Sequence, residues 1–580
     1  MFSLHDPLDE TLRAELMEYD DLTASLLARR GITTRGEAAR FLKPSYDLHL
    51  HDPLLITGMP RAAERLARAI ASGEHIAIWS DYDCDGGPGG VVMHDFLKKV
   101  GAHFENYIPH RHLEGYGMNV EGIEKLAKSG VTLVVTVDSG ITDVEPVARA
   151  RELGMDVIIT DHHLPLIVSG EVGPTLPNAF AIVNPNARAD ETYLFKELCG
   201  AALAWKLVCA TLAVAPELRE AHDIAPGWEK WLLDMVGLAT IADMVPLVGE
   251  NRVLATYGLV VLRKSPRVGL AKLCRVMRSE QRWLTEDDIG FMLAPRVNAA
   301  SRMVDAYDVL KLFTTSDEAE AELLAKRLET LNHQRKASAG AITRAVHAKL
   351  ERRELRSVIA LGDPDWRPAL LGLVANGISE EYDRPVFLWG REGSARYKGS
   401  VRSGRVHALA LMGAAHETFE EFGGHAASGG FTILPDAIFS FEDRLVEAFN
   451  RVTGTDDDSH VLVPDADADL AADEISLEVL AALSRLAPFG RGNDKPVFRI
   501  RDARVSKVER FGKGLEHLKL KVERTQGTLD AVAFFAKDAL AKRAEALGEG
   551  GQAILLAHLE RDTFSRGQPV RLRLLDLELV

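Results

Sequence analysis

His75-Ile76-Ala77-Ile78-Trp79-Ser80-Asp81-Tyr82-Asp83-Cys84-Asp85-Gly86 carries an apolar strand into three alternate aspartates and a glycine-rich loop. Carboxylates this close repel one another and stay ionised at neutral pH only when a cation neutralises them. Mg²⁺ and Mn²⁺ prefer oxygen ligands and are the usual partners. Taken alone, the stretch also reads as a solvated acidic turn, so the surrounding pattern has to decide. Val131-Thr132-Leu133-Val134-Val135-Thr136-Val137 is a largely β-branched run ending in Asp138-Ser139-Gly140, and Asp156-Val157-Ile158-Ile159-Thr160 leads into Asp161-His162-His163. Segments 91–100, 121–129 and 144–153 carry helical patterning between and after them. This alternation predicts βαβ units and a parallel sheet buried on both faces. Right-handed crossovers place the strands' carboxyl ends along one edge, where open α/β sheets bind ligands. Asp83, Asp85, Asp138 and His162 are thereby delivered to a single edge. Asp243 closes a later apolar run, Thr240-Ile241-Ala242, and on its own reads first as a helix-end residue.

Together, Asp81-Tyr82-Asp83-Cys84-Asp85-Gly86, Thr136-Val137-Asp138-Ser139-Gly140-Ile141, Asp161-His162-His163 and Ala242-Asp243-Met244-Val245-Pro246-Leu247 resemble the four motifs of the DHH phosphoesterase superfamily, in order. Within it the chain is similar to the RecJ family of single-strand-specific 5′→3′ exonucleases. Supporting stretches are Arg30-Gly31-Ile32-Thr33-Thr34, Phe41-Leu42-Lys43-Pro44, Ala294-Pro295-Arg296-Val297-Asn298-Ala299-Ala300-Ser301-Arg302 and Leu331-Asn332-His333-Gln334-Arg335-Lys336. Gly423-Gly424-His425 and Pro488-Phe489-Gly490-Arg491-Gly492-Asn493 complete the set, so the resemblance covers nearly the whole chain.

The resemblance implies a doubly wound parallel sheet (the DHH domain), joined by a long helix to a second α/β lobe (DHHA1) and a C-terminal OB-type β-barrel. It implies degradation of single-stranded DNA to 5′-mononucleotides in repair and recombination. Two divalent cations are implied, Mn²⁺ preferred with Mg²⁺ as the alternative. Asp138 would bridge them, Asp81 and Asp83 would hold one, and Asp85, His162 and Asp243 the other. His163 would face the substrate phosphate, with Asp161 orienting the histidines. Arg111, Arg296, Arg302, Ser400, Arg402, Gly424 and His425 would bind the terminal phosphate and the strand, since arginine's planar fork matches phosphate oxygens. Each arginine alone reads as a surface ion pair.

The sequence of 580 residues, 46% hydrophobic and 27% charged, is ordinary for a globular protein of roughly three to five domains. The marks along it divide the chain into a helical N-terminal region (1–55), the DHH domain (56–265), a helical connector (266–350), the DHHA1 lobe (351–455) and the barrel (456–580). Segment 319–350 lacks Gly and Pro except for Gly340 and predicts one long or broken helix. No apolar run reaches the ~20 residues of a membrane span, and no basic-then-apolar leader opens the chain. Cys84, Cys199, Cys209 and Cys274 form no paired motif. These features predict a cytoplasmic protein without membrane contact.

A net charge of −16 disfavours nucleic acid at first sight, but binding follows local patches. Segment 499–524 holds nine basic residues against four acidic ones, alternating with apolar residues as on the exposed face of strands. From composition alone this is a solvated face. With the resemblance it implies a barrel gripping single strands through Arg499, Arg501, Lys519 and Lys521. The run Asp456-Asp457-Asp458 reads as a solvated domain boundary. Implied partners are single-stranded DNA, a single-strand-binding protein and a helicase, with the chain acting as a monomer.

Two departures from the family pattern stand out. Gly87-Pro88-Gly89-Gly90 replaces small hydroxyl residues at a helix start, with the N–H groups of Gly89 and Gly90 expected to face phosphate. Ser428-Gly429 replaces alanines and is expected to change little. The rival readings are a DHH phosphodiesterase of short oligonucleotides or cyclic dinucleotides, and a non-catalytic single-strand-binding repair scaffold.

Overall fold

The computed structural model describes residues 2–4, 8–166, 174–391, 396–404, 406–424, 426–453, 466–512, 514–536, 538–562 and 570–580. The Asp456-Asp457-Asp458 run lies outside them.

Strands β1 (Ile76–Ser80), β2 (Phe104–Tyr107), β3 (Leu133–Val137), β4 (Asp156–Thr160) and β5 (Ala181–Val183) form an all-parallel sheet in the order β2-β1-β3-β4-β5. Successive side chains on a strand point to opposite faces. Ile76 and Ile78 accordingly join Leu133 and Val135 in one core, under helices Met59–Ala71, Gly86–Lys99, Gly200–Val214 and Leu233–Ala242. Ala77, Trp79 and Val134 join the other, under Val120–Lys128 and Val144–Glu152. The sheet is thus doubly wound, as expected.

The helix after β1 begins at Gly86, five residues before its apolar pattern does, because the glycine loop is its first turn. A Cβ at Gly86 would lie 2.6 Å from that of Asp81, and one at Gly89 2.6 Å from Val137 Cγ1 and 3.0 Å from Ala201 Cα. The glycines therefore seat the helix directly on the strand ends. Pro88 occupies a first-turn position where no N–H is required. One expectation is corrected here: the Gly89 N–H donates to the Asp85 carbonyl at 2.9 Å, so it serves the helix and not a phosphate.

Glu318–Leu350 is one unbroken helix of 33 residues, about 50 Å long at 1.5 Å per residue. Leu324, Leu328 and Leu331 are buried in the first lobe, whereas Ile342, Val346 and Leu350 are buried in the second. That second lobe holds β6 (Ile359–Gly362), β7 (Val386–Arg391), β8 (Tyr397–Arg402), β9 (Phe419–Gly424) and β10 (Ser428–Ile433) in the order β6-β7-β8-β10-β9. Of these pairs, β6 and β7 run parallel and the others antiparallel.

The C-terminal strands are β11 (Ala468–Leu470), β12 (Phe498–Phe511), β13 (His517–Glu523), β14 (Thr528–Ala533), β15 (Gly551–Arg561) and β16 (Val570–Leu579). They run β11-β12-β13-β14-β16-β15, and pairing of β12 with β15 closes a five-stranded barrel with β11 appended. The barrel core also contains Leu26, Leu27, Ala38 and Phe41 from the N-terminal helices Asp21–Arg29 and Arg35–Leu42. Arg252 ties this assembly to the first lobe. Its guanidinium lies 3.6 Å over the Phe41 ring and donates to the carbonyls of Phe41 (2.6 Å), Leu486 (3.0 Å) and Ala487 (3.1 Å).

Candidate metal centre

Four chain segments meet at the carboxyl edge of the first sheet. Asp81, Asp83 and Asp85 follow β1, Asp138 follows β3, the Asp161-His162-His163 run follows β4, and Asp243 caps helix Leu233–Ala242. Three ligand sets result, each with donor atoms within 4.8 Å of one another: Asp81/Asp83/Asp138, Asp85/His162/Asp243 and Asp138/His162/His163. Asp138 is shared by two of them. His162 Nε2 lies 3.1 Å from Asp138 Oδ1, 3.7 Å from Asp85 Oδ2 and 3.8 Å from Asp243 Oδ2.

Asp138 adopts φ 62°, a left-handed conformation that aspartate tolerates better than most residues. Backbone strain of this kind concentrates at functional sites. Its N–H donates to the Thr160 carbonyl (2.9 Å), and the Tyr116 hydroxyl donates to its own carbonyl (3.1 Å). Behind it, the start of helix Gly200–Val214 clamps Asp85 through the N–H groups of Gly200 (2.6 Å) and Ala201 (2.8 Å). Position 200 must be glycine, since a Cβ there would sit 2.5 Å from that of Asp138. Asp83 Oδ1 accepts from the N–H groups of Asp85 and Gly86, and Asn298 accepts from that of Cys84.

Asp161 organises the histidines. Its Oδ1 accepts from the backbone of His162 (2.7 Å) and His163 (3.1 Å) and meets His163 Nδ1 at 2.8 Å, while Oδ2 accepts from the Ile141 N–H. Asn184 and Asn186 fix the same turn by donating to the carbonyls of His163 and His162, each at 2.8 Å.

The electrostatics favour neutralisation of this edge, by protons or by cations. Burial, followed by the charge of Asp83, pushes the Asp81 carboxyl well above the usual carboxylate range. Burial and the surrounding aspartates do the same at Asp138, and Asp243 is pushed up to about 9 by burial and by Asp85 and Asp83. Asp161 goes the other way: burial would raise it, but the His163 hydrogen bond and both imidazoles hold it below its ordinary value. Burial works against a charged His163, yet Asp161 raises that ring to about 9. Asp81 Oδ1 and Asp138 Oδ1 are buried acceptors that meet no hydrogen-bond donor among the described residues. Oxygen-rich sets with orphaned carboxylate oxygens and one shared aspartate fit a pair of hard divalent cations.

The interlobe residues divide. Arg302 is half-buried, with desolvation and then the charge of Arg111 pushing its pKa down to about 9, while Arg335 and Arg402 add to that push and Asp83 opposes it. Arg111 lies 4.7 Å over the Tyr82 ring, and Arg402 is at the end of β8, close to Gly372. These arginines therefore form one cationic cluster beside Asp81 and Asp83. Arg296 does not join it, being buried and paired with Glu329 at 2.5 Å. Ser400 lies on β8 opposite Gly430, and Gly424 ends β9, where a Cβ would strike the Ser428 carbonyl oxygen at 2.3 Å. His425 lies outside the described residues.

On the barrel, three of the four expected cations are already paired: Arg499 and Arg501 with Asp469, and Lys519 with Asp530. Lys521 makes no ion pair among the described residues. Sequence reasoning missed an aromatic cluster on the same domain. Phe511, His517, Phe534 and the exposed Phe535 touch one another, and Arg573 lies 4.4 Å over Phe534. The adjacent pair Phe534-Phe535 at a strand end was the available signal. Tyr116, Gly200, Ala201, Asn184 and Asn186 were also missed; of these, only Asn184 and Asn186 had a local cue, flanking Pro185 after a strand.

Comparison with known proteins accords with this geometry. Family models match at residues 75–240 (DHH family, N-terminal domain), 355–451 (DHHA1 domain) and 466–576 (RecJ OB domain). The single-stranded-DNA-specific exonuclease RecJ of Bacillus subtilis is 35% identical over 524 residues, spanning 90% of this chain and 64% of its own length. That of Salmonella typhimurium is 33% identical over 554 residues, spanning 91% of each chain. Among solved structures, RecJ in complex with Mn²⁺ from Thermus thermophilus superposes with a TM-score of 0.77 at 27% identity, covering 99% of this chain and 78% of that one.

Proposed function

The chain belongs to the RecJ family of the DHH superfamily, and on that basis we propose that it degrades single-stranded DNA from the 5′ end to mononucleotides, using two divalent cations. The observation that carries this reading is the meeting of the ligand sets Asp81/Asp83/Asp138 and Asp85/His162/Asp243, with buried carboxylate oxygens that no donor among the described residues satisfies. Asp81 and Asp83 would hold one cation and Asp85, His162 and Asp243 the other, with the Asp138 carboxylate available to both. Cations held there would supply an activated water near neutral pH and neutralise the charge on the attacking and leaving oxygens of a phosphodiester.

The chain's own groups position the rest. Asp161 fixes the His163 ring through Nδ1, so Nε2 is the nitrogen that meets a phosphate oxygen and carries a proton to it. Tyr116, bonded to the Asp138 carbonyl and 3.1 Å from His163 Nδ1, holds both groups in register. The Arg111/Arg302/Arg402 cluster takes the terminal 5′-phosphate. Half-buried guanidiniums with no carboxylate paired to them among the described residues are stabilised when an anion arrives, and this sets the chain end at a fixed distance from the metal centre. Ser400 on β8 and Gly424 at the end of β9 would contact the strand from the second lobe, the absence of a Cβ at Gly424 letting β9 close on the Ser428 carbonyl.

This reading carries with it a cytoplasmic monomer to which a helicase and a single-strand-binding protein supply strands. No helix among the described residues is long and apolar enough to cross a membrane. The test is digestion of a 5′-phosphorylated single strand, labelled at either end, in Mn²⁺, with Asp138→Ala as control. Progressive release of mononucleotides from the 5′ end, lost in the variant, is expected. Cleavage confined to dinucleotides, or binding without cleavage, would sink the reading.

A further inference from the structure

We propose that Arg491, presented by the C-terminal assembly, binds the backbone phosphate that follows the scissile one and so steers the strand from the metal centre towards the barrel. The proposal rests on the exonuclease reading above and adds a residue to it.

Gly490 and Asn493 exchange backbone hydrogen bonds (3.0 and 2.9 Å), making Arg491 and Gly492 the two central residues of a tight turn, with Gly492 at φ 75°. Several contacts pin that turn. The Leu247 N–H donates to the Arg491 carbonyl at 2.7 Å, and a Cβ at Gly490 would lie 2.8 Å from Leu247 Cδ1. Asn493 is fully buried, bridges the carbonyls of Leu486 and Pro488, and accepts from Arg30 Nε at 2.7 Å. The turn is therefore held against Leu247, a few residues downstream of Asp243 in the same chain segment. The Arg491 side chain, by contrast, is exposed and makes no ion pair or side-chain hydrogen bond among the described residues. Gly492 closes on the same segment, where a Cβ would lie 3.3 Å from that of Pro246, so the turn that carries Arg491 packs against residues three and four positions after Asp243.

A guanidinium held beside a cation site is repelled once cations occupy it, unless an anion lies between them. DNA phosphate is the anion that this site handles. The centre also has two distinguishable ends. Arg111 lies over the ring of Tyr82, between Asp81 and Asp83, whereas the Arg491 turn packs on Pro246 and Leu247, in the segment that begins with Asp243. With the terminal phosphate in the cluster and the scissile one over Asp138, the strand leaves past Asp243. The phosphate that meets Arg491 is then the next one in the 3′ direction.

The test uses the full chain in Mn²⁺, comparing wild type with Arg491→Ala and Arg491→Glu. On long 5′-phosphorylated strands, the alanine variant is expected to raise KM about three- to tenfold, keep kcat within about twofold, and flatten the salt dependence of log KM by about 0.7. Arg491→Glu should raise KM further. The penalty should shrink on a dinucleotide, which has no phosphate beyond the scissile bond. Equal penalties on dinucleotide and long strand, an unchanged salt slope, or a shift in Mn²⁺ half-saturation in place of KM would each overturn the proposal. A wild type inactive on every strand would instead overturn the exonuclease reading beneath it, and melting curves of both variants identify any loss due to misfolding.

Discussion

The sheet edge of the first lobe and the surface of the C-terminal barrel hold opposite kinds of charge in opposite states. At the edge, carboxylates are buried, crowded and short of donors; Asp81 and Asp138 each keep an oxygen with no hydrogen bond. On the barrel, cations are exposed or half-exposed and already partnered, as Arg501 is by Asp469 and Lys519 by Asp530. A buried like-charged cluster cannot satisfy itself and therefore requires a ligand. An exposed alternating face satisfies itself with neighbouring charges of opposite sign at little gain. The contrast locates chemistry at the edge and leaves the barrel's contribution to the few groups that remain unpaired.

The sharpest way to break this comparison is Asp138→Asn. Turnover should fall about 10³-fold or more, as when a key electrostatic element is lost, while the metal-free protein should become more stable. An acid whose pKa is higher in the folded chain than in the unfolded one keeps a proton there that the unfolded chain has released. Stability then declines as pH rises from the ordinary carboxylate range to the raised value; for Asp243 that window runs from 3.8 to about 9. Removing the charge at Asp138 removes its share of this penalty, so the melting temperature in chelator should rise at pH 8, by about 2–4 °C per kcal/mol recovered. A variant that melts lower than wild type in chelator would show that the cluster is not strained by charge. Metal addition gives the complementary measurement. Mn²⁺ stabilises the native state by mass action, and the gain in melting temperature should be larger at pH 8 than at pH 5, where protons already neutralise the cluster.

Asp161→Asn comes next in size. It leaves every proposed ligand in place but loses the carboxylate that fixes His163. A fall in kcat of about 10- to 100-fold, with Mn²⁺ half-saturation changed less, is the expected result. Loss confined to metal affinity would reassign Asp161 to holding His162.

How much of this was legible in advance follows the same division. The parallel sheet and its edge could be read because the strands are near-continuous apolar runs that end in acidic residues, a pattern set by local sequence. The helix 318–350 was legible because its interior lacks breakers. The clamp of Gly200 and Ala201 on Asp85 was not, since it joins residues more than a hundred positions apart and nothing near Cys199 announces it. The docking of Leu26, Leu27 and Phe41 into the barrel core was hidden for the same reason: an amphipathic helix declares a buried face but not its partner. The Arg296–Glu329 pair was not legible either, because a motif arginine and an ion-paired arginine look alike in sequence. On the barrel, the alternation of charge was read correctly as a strand face, but the counter-charges came from β11 and β14, outside the segment considered.

The smallest expected effects lie on the barrel and sharpen the comparison most finely. Arg501→Ala removes a cation that Asp469 already neutralises, so affinity for long single strands should change by less than about twofold. Lys521→Ala removes a cation that has no ion-pair partner among the described residues, and its effect should exceed that of Arg501→Ala and appear in the salt dependence, flattened by about 0.7. Phe535→Ala tests whether the barrel holds strands by rings in addition to charge. Its exposed ring sits beside His517 at 4.8 Å, next to the Phe534 on which Arg573 stacks. A stacked base contributes about 1–3 kcal/mol, so this change should outweigh Arg501→Ala in affinity while leaving the salt slope unaltered. If Arg501→Ala instead proved the most damaging of the three, the Asp469 pairing would have to open on DNA binding, and the barrel's charges would be latent ligands like those of the sheet edge.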